Sequence, residues 1–119
     1  MAEFHEDKED LDQEAIEYHR IIQSVIEELE AVNWYNQRAT ATEDESVKNI
    51  VAHNRDEEIE HACMGLEWLR RNSEVWDEHL REFLFTEEEI TEIEEGEDHD
   101  HDDEHESAGD NSLGIGDLD

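Results

Sequence analysis

The chain has 119 residues, with no proline and five glycines; 34% of its residues are hydrophobic and 39% charged, and 39 acids against eight Lys and Arg give a formal net charge of −31. So acidic a surface excludes nucleic acid and anionic membranes as partners, because both require basic residues, and it favours the attraction of cations. The length bounds the chain to one domain, the scarcity of breakers permits long helices, and the low apolar share predicts a thin core that a partner subunit completes.

Residues 1–9 are polar and are expected to fray, and they carry neither the positive start nor the apolar run of a signal peptide. From Leu11 the chain turns periodic: Ala15, Tyr18, Ile22, Val25, Leu29 and Val32 follow at steps of three and four, which predicts an amphipathic helix to about Arg38. The Ala-Thr-Ala-Thr run at 39–42 interrupts it, and Thr42 with Glu45 reads as a capping box opening a second helix over 43–71. Val47, Ile50, Val51, Ile59, Ala62, Leu66 and Leu69 supply its apolar positions. Ser73 is the expected N-cap of a short third helix bearing Trp76, Leu80, Phe83 and Leu84, and Thr86 with Glu89 forms another capping box before Ile90 and Ile93. The expected fold is all-α: two long antiparallel helices plus a short C-terminal helix, spanning 10–93. No stretch is long and apolar enough to cross a membrane.

No Lys or Arg occurs after Arg81. Residues 94–111 are acidic, carry His99, His101 and His105, and have almost nothing apolar, the composition of a disordered linker. Its histidines could hold divalent metals loosely, and a linker is the plainer reading. Residues 112–119 restore Leu113, Ile115 and Leu118. By themselves they fit equally a frayed end and a peptide made for a partner's groove.

Glu58 and His61 stand at i and i+3, so they project from one helix face, the spacing with which bundle di-iron proteins present a carboxylate and an imidazole. In a Glu-rich helix that pair also arises by chance. Glu28 tilts the balance, because it falls between Val25 and Val32 on the apolar face of the first helix, with Tyr35 two turns on. A buried carboxylate is costly unless something positive compensates it, and basic residues are scarce, which leaves a metal ion as the natural partner. Bundle di-metal sites take one Glu from each of two helices and one Glu-x-x-His from each of two others. This chain therefore holds half a site on half a four-helix bundle, and two copies about a two-fold axis complete both. Carboxylate and imidazole together suit Fe or Mn and admit zinc.

Tyr35 has core packing as its alternative to a role at the metal. Glu27, Glu30 and Trp34, at i, i+3 and i+7 on a face turned from Glu28, are either solvated surface or a place that holds ions on their way inward. His19, His53 and His79 read as packing or oligomer contacts. Cys63 reads as a small apolar residue; as the only cysteine it allows no intrachain disulfide, which fits a reducing cytosol.

The strings Glu-Glu-Leu-Glu-Ala-Val-Asn-Trp-Tyr (27–35) and His-Asn-Arg-Asp-Glu-Glu-Ile-Glu-His (53–61) resemble those of the encapsulated ferritins, the ferritin-like cargo of encapsulin nanocompartments. The resemblance spans Tyr18 to Thr86, including Leu66 to Asn72 and Leu84 to Thr86, and Ser112 to Leu118 is similar to the encapsulin-targeting peptide of such cargo. It implies a homodecamer built as a ring of five dimers, with a di-iron ferroxidase centre at each dimer interface. Its ligands would be Glu28, Glu58 and His61, with Tyr35 close by. Glu27, Glu30 and Trp34 would form the site through which metal reaches it, and Mn, Zn or Ca could occupy these positions in vitro. The encapsulin shell, engaged through Ser112–Asp119 in the cytoplasm, would store the mineral. The acidic stretch 94–111 matches nothing in that pattern. Against this stand three rivals on the same scaffold: a peroxidase or manganese catalase, a metal buffer that binds iron without speeding its oxidation, and a purely structural acidic cargo protein.

Overall fold

The computed structural model describes residues 4–96, and all regular structure among them is helical. His99, His101, His105 and the 112–119 peptide lie outside the described residues. A 3-10 turn at Lys8–Asp10 precedes three helices: α1 (Gln13–Ala41), α2 (Glu45–Asn72) and α3 (Glu74–Phe83). Residues 90–96 are helical as well. The chain divides into two compact units, Met1–Leu69 and Arg70–Asp119.

In the first unit, α1 begins where Asp12 accepts the Ala15 N–H at 2.8 Å, the standard service of an N-cap carboxylate to an otherwise orphaned donor. Helix α1 continues to Ala41, past the expected stop, because alanine is the best helix former and Ala39 is buried. Thr42 is thereby consumed as its C-cap, its N–H bonded to the Arg38 carbonyl at 3.0 Å. The cap of α2 moves to Asp44, which accepts the Val47 N–H at 3.0 Å, while Thr42 Oγ1 accepts from the Asp44 N–H at 3.1 Å. The expected Thr42–Glu45 capping box is replaced by this arrangement. Cross-helix neighbours run in opposite chain directions: Val25 lies against Gly65, Glu28 against Glu58 and His61, and Asn36 accepts from Arg55 Nη1 at 3.0 Å. Helices α1 and α2 are therefore antiparallel. Ahead of them, in the segment expected to fray, the Phe4 ring rests on His19 with centroids 4.2 Å apart, and Lys8 lies over the same ring.

In the second unit, Ser73 caps α3 by accepting the Trp76 N–H at 3.2 Å, as expected. Asp77 takes hydrogen bonds from Arg70 (2.6 Å) and Arg81 (2.9 Å), which hold its carboxyl below the ordinary value. His79 and Glu82 pair at 2.8 Å. After the C-cap Leu84, Phe85 takes φ 63° with its side chain fully exposed. Thr86 does not cap the helical turns at 90–96; its hydroxyl donates back to the Phe83 carbonyl at 2.8 Å, and Glu89 caps instead, receiving the Thr91 N–H at 3.0 Å and the Thr91 hydroxyl.

Among the described residues, only Val25, Ala39, Ala62 and Leu69 are buried apolar residues, whereas Ile26, Leu29, Trp34, Val47, Ile50, Ile59 and Met64 are exposed on α1 and α2 of a single copy. The thin core expected from composition is what the helices display.

Candidate metal centre

Two seams bring the candidate ligands together. On α1, Ile21, Val25, Glu28, Val32, Tyr35 and Ala39 recur at steps of four and three, the spacing that keeps one stripe facing a neighbouring helix. On α2 the corresponding stripe is Glu58, Ala62, Gly65 and Leu69, with His61 one position beside it. Where the stripes meet, Glu28, Glu58 and His61 each offer a ligand atom, all within 4.8 Å of one another. His61 Nδ1 lies 3.7 Å from Glu58 Oε1, beyond a hydrogen bond and suited to two donors aimed at a shared third body.

The electrostatics of the cluster are those of a site short of positive charge. Glu28 is half-buried, and its Oε1 is enclosed with no hydrogen-bond partner. Burial pushes the Glu28 carboxyl above its ordinary value; neighbouring His61 opposes that rise, and the charges of Glu58 and Glu27 add to it. An enclosed acceptor without a hydrogen-bond partner, on a carboxylate grouped with a second carboxylate and an imidazole, fits a cation. The donor set, two carboxylates and one imidazole, matches Fe, Mn or Zn rather than the all-oxygen shell of Ca or Mg. Three side chains from one copy fall short of the four Glu and two His with which bundle proteins hold a metal pair.

The other candidates are distributed around this cluster. Tyr35 is half-buried on the same stripe as Glu28, with the Arg38 guanidinium 5.3 Å over its ring. Glu27, Glu30 and Trp34 are exposed; Glu27 accepts from Gln23 Nε2 at 3.0 Å and reaches Glu28 through its charge. His19 stacks on Phe4, His53 lies 3.7 Å from Glu57, and His79 pairs with Glu82. Cys63 is exposed, so its expected role as a small apolar residue is not a buried one in a single copy. Sequence reasoning misses Gly65, whose one signal is a glycine in a helix interior one turn from His61.

Known proteins are similar to this chain in sequence and in fold. A family model described as EncFtn-like matches residues 3–87. The chain is 54% identical to an encapsulated ferritin-like protein from Rhodospirillum rubrum, over 96% of this chain and 86% of that protein. It is also 54% identical to a ferritin-like protein from Thermotoga maritima, over 78% of this chain and 82% of the relative. Among solved structures, the protein ne0167 from Nitrosomonas europaea superposes with a TM-score of 0.73 at 48% identity, covering 75% of this chain and 98% of that one.

Proposed function

The chain belongs to the EncFtn-like family, and on that premise we propose that it oxidises Fe(II) to Fe(III) at a centre that two copies share, delivering the product for storage inside an encapsulin shell. The observation that carries this reading is the enclosed, partnerless Oε1 of Glu28, on a carboxylate grouped with Glu58 and His61. A carboxylate held out of water without a partner is costly, and its retention makes sense where a cation completes it.

Ferrous iron is the substrate, and dioxygen takes one electron from each of two such ions. Carboxylate oxygens bind the higher charge more strongly, so Glu28 and Glu58 favour the ferric product. His61 supplies an imidazole nitrogen beside the two carboxylates. The half-buried position of Glu28 and Glu58 limits competition from water for the same donors. Iron arrives down the negative potential of a chain carrying −31, and exposed Glu27, Glu30 and Trp34 are the proposed place of approach. Tyr35 is the proposed neighbour of the centre. Completion of the bundle by a second copy, and of a ring by five such pairs, belongs to the same proposal; it is supported by the apolar residues that a single copy leaves exposed. The name of the Rhodospirillum rubrum relative supports the shell as destination, with Ser112–Asp119 as the segment that docks there. Among the described residues, no helix is long and apolar enough to span a membrane.

One experiment separates the two ends of the molecule. Aerobic Fe(II) oxidation and co-purification with an encapsulin shell are measured for the native chain, for His61→Ala and for a chain ending at Asn111. His61→Ala should fall to the rate of buffer while still loading; the shortened chain should oxidise iron normally and fail to load. Equal oxidation by native and His61→Ala protein, both helical and assembled, would leave a metal-buffering cargo protein as the better reading. Loading that survives the truncation would remove the terminal peptide from the account.

A further inference from the structure

We infer that Gly65 is a positioning residue for the metal centre: the missing side chain at this point lets α1 and α2 approach closely enough to bring Glu28 to Glu58 and His61. This rests on the proposed ferroxidase reading for what the centre does, and on geometry alone for what Gly65 does.

Glycine in a helix interior is disfavoured relative to alanine, so its presence inside α2 asks for a reason. The reason is on the facing helix. A Cβ built on Gly65 would stand 2.5 Å from Val25 Cγ2, far inside van der Waals contact, with Ile21 Cγ2 at an ordinary 3.7 Å. Val25 has little freedom to yield. It is buried at 8% exposure, and a β-branched side chain in a helix keeps essentially one χ1 rotamer. Restoring a normal carbon–carbon contact of roughly 3.5–4.0 Å therefore requires the helices themselves to part by about 1 Å.

That parting would be felt at the centre. Glu28 is one turn beyond Val25 on α1, and His61 is one turn before Gly65 on α2. The ligand atoms lie within 4.8 Å of one another, so a displacement of this size is a sizeable fraction of their spacing. Misplacing reacting groups by about 1 Å costs on the order of a hundredfold in rate.

The test compares native protein with Gly65→Ala, Val25→Ala and the double variant, all as full chains with helicity and assembly checked. Two readouts are used: Fe(II) oxidation, and binding of Co(II) followed by its geometry-sensitive visible absorption. Gly65→Ala should weaken both by about tenfold to a hundredfold and alter the Co(II) spectrum. Removing the opposing methyls in Gly65→Ala/Val25→Ala should restore the spectrum and bring both readouts back to near the native values. A Gly65→Ala protein with native spectrum and rate would overturn the inference, as would a folded double variant that stays impaired while Val25→Ala alone is not. Should Gly65→Ala fail to fold, the double variant decides in the same way. A native chain that binds Co(II) but does not oxidise iron would sink the ferroxidase reading and leave the role of Gly65 to the spectrum.

Discussion

Moving a carboxylate out of water costs several kcal/mol unless a partner is held ready for it, and Glu28 has one oxygen enclosed with none. The cost falls on the metal-free protein. Its signature is the direction in which burial pushes the Glu28 carboxyl, above the ordinary value. In chelated buffer, Glu28→Gln should therefore raise the thermal midpoint, by the equivalent of about 1 kcal/mol. Under anaerobic Fe(II) the order should reverse, because only the native site gains stability from binding, about 2.7 kcal/mol at a hundredfold excess over Kd. Thermal unfolding under the two conditions checks both signs; a native protein more stable than Glu28→Gln in chelator would mean that Glu28 has a partner after all. Much of this is legible in the sequence. The place of Glu28 between Val25 and Val32 puts it on the inward stripe, and i, i+3 spacing puts Glu58 beside His61. The orphaned oxygen and the demand on Gly65 are not legible, since both depend on what the opposite helix brings near, which periodicity along one helix does not encode.

At the scale of elements, apolar periodicity locates three helices, and the end signals are displaced by short distances for a physical reason. Capping is a competition among neighbouring side chains: once α1 extends to Ala41 and uses Thr42, the aspartate two residues on, Asp44, is the better N-cap for α2. Glu89 displaces Thr86 in the same manner. Ser73 meets no rival and caps α3 as its sequence suggests. Asp77 then ties this short helix to the last turn of α2 through Arg70, and to its own end through Arg81. These arginines keep the Asp77 carboxyl ionised below its ordinary 3.8. Near that pH the folded chain thus binds fewer protons at Asp77 than the unfolded chain. The contribution is complete above 3.8 and is lost as pH falls through the depressed value. Asp77→Asn should accordingly lower the thermal midpoint at neutral pH, with the gap to native protein closing in strong acid. A gap that is constant across the titration would assign Asp77 a packing role in place of an electrostatic one.

The molecule as a whole sets 39 acids against a core of four buried apolar residues among those described. Neither property favours a solitary folded monomer: the first repels itself, and the second leaves little hydrophobic stabilisation. In the proposed reading, a second copy covering the exposed apolar residues of α1 and α2, with cations bound between opposing carboxylates, would answer both at once. Composition carries this much, because a thin core and an excess of acids are properties of the whole chain. The partner's placement is beyond what composition encodes. A shared centre requires that the metal belong to pairs of chains. Native mass spectrometry of the chain titrated anaerobically with Fe(II), beside His61→Ala under the same conditions, measures this directly. The expected result is metal in species with even numbers of copies, two ions for each pair, absent from monomers and lost in the variant. Monomers that hold iron as fully as the pairs do, or a variant that keeps both ions, would contradict a centre shared between two copies.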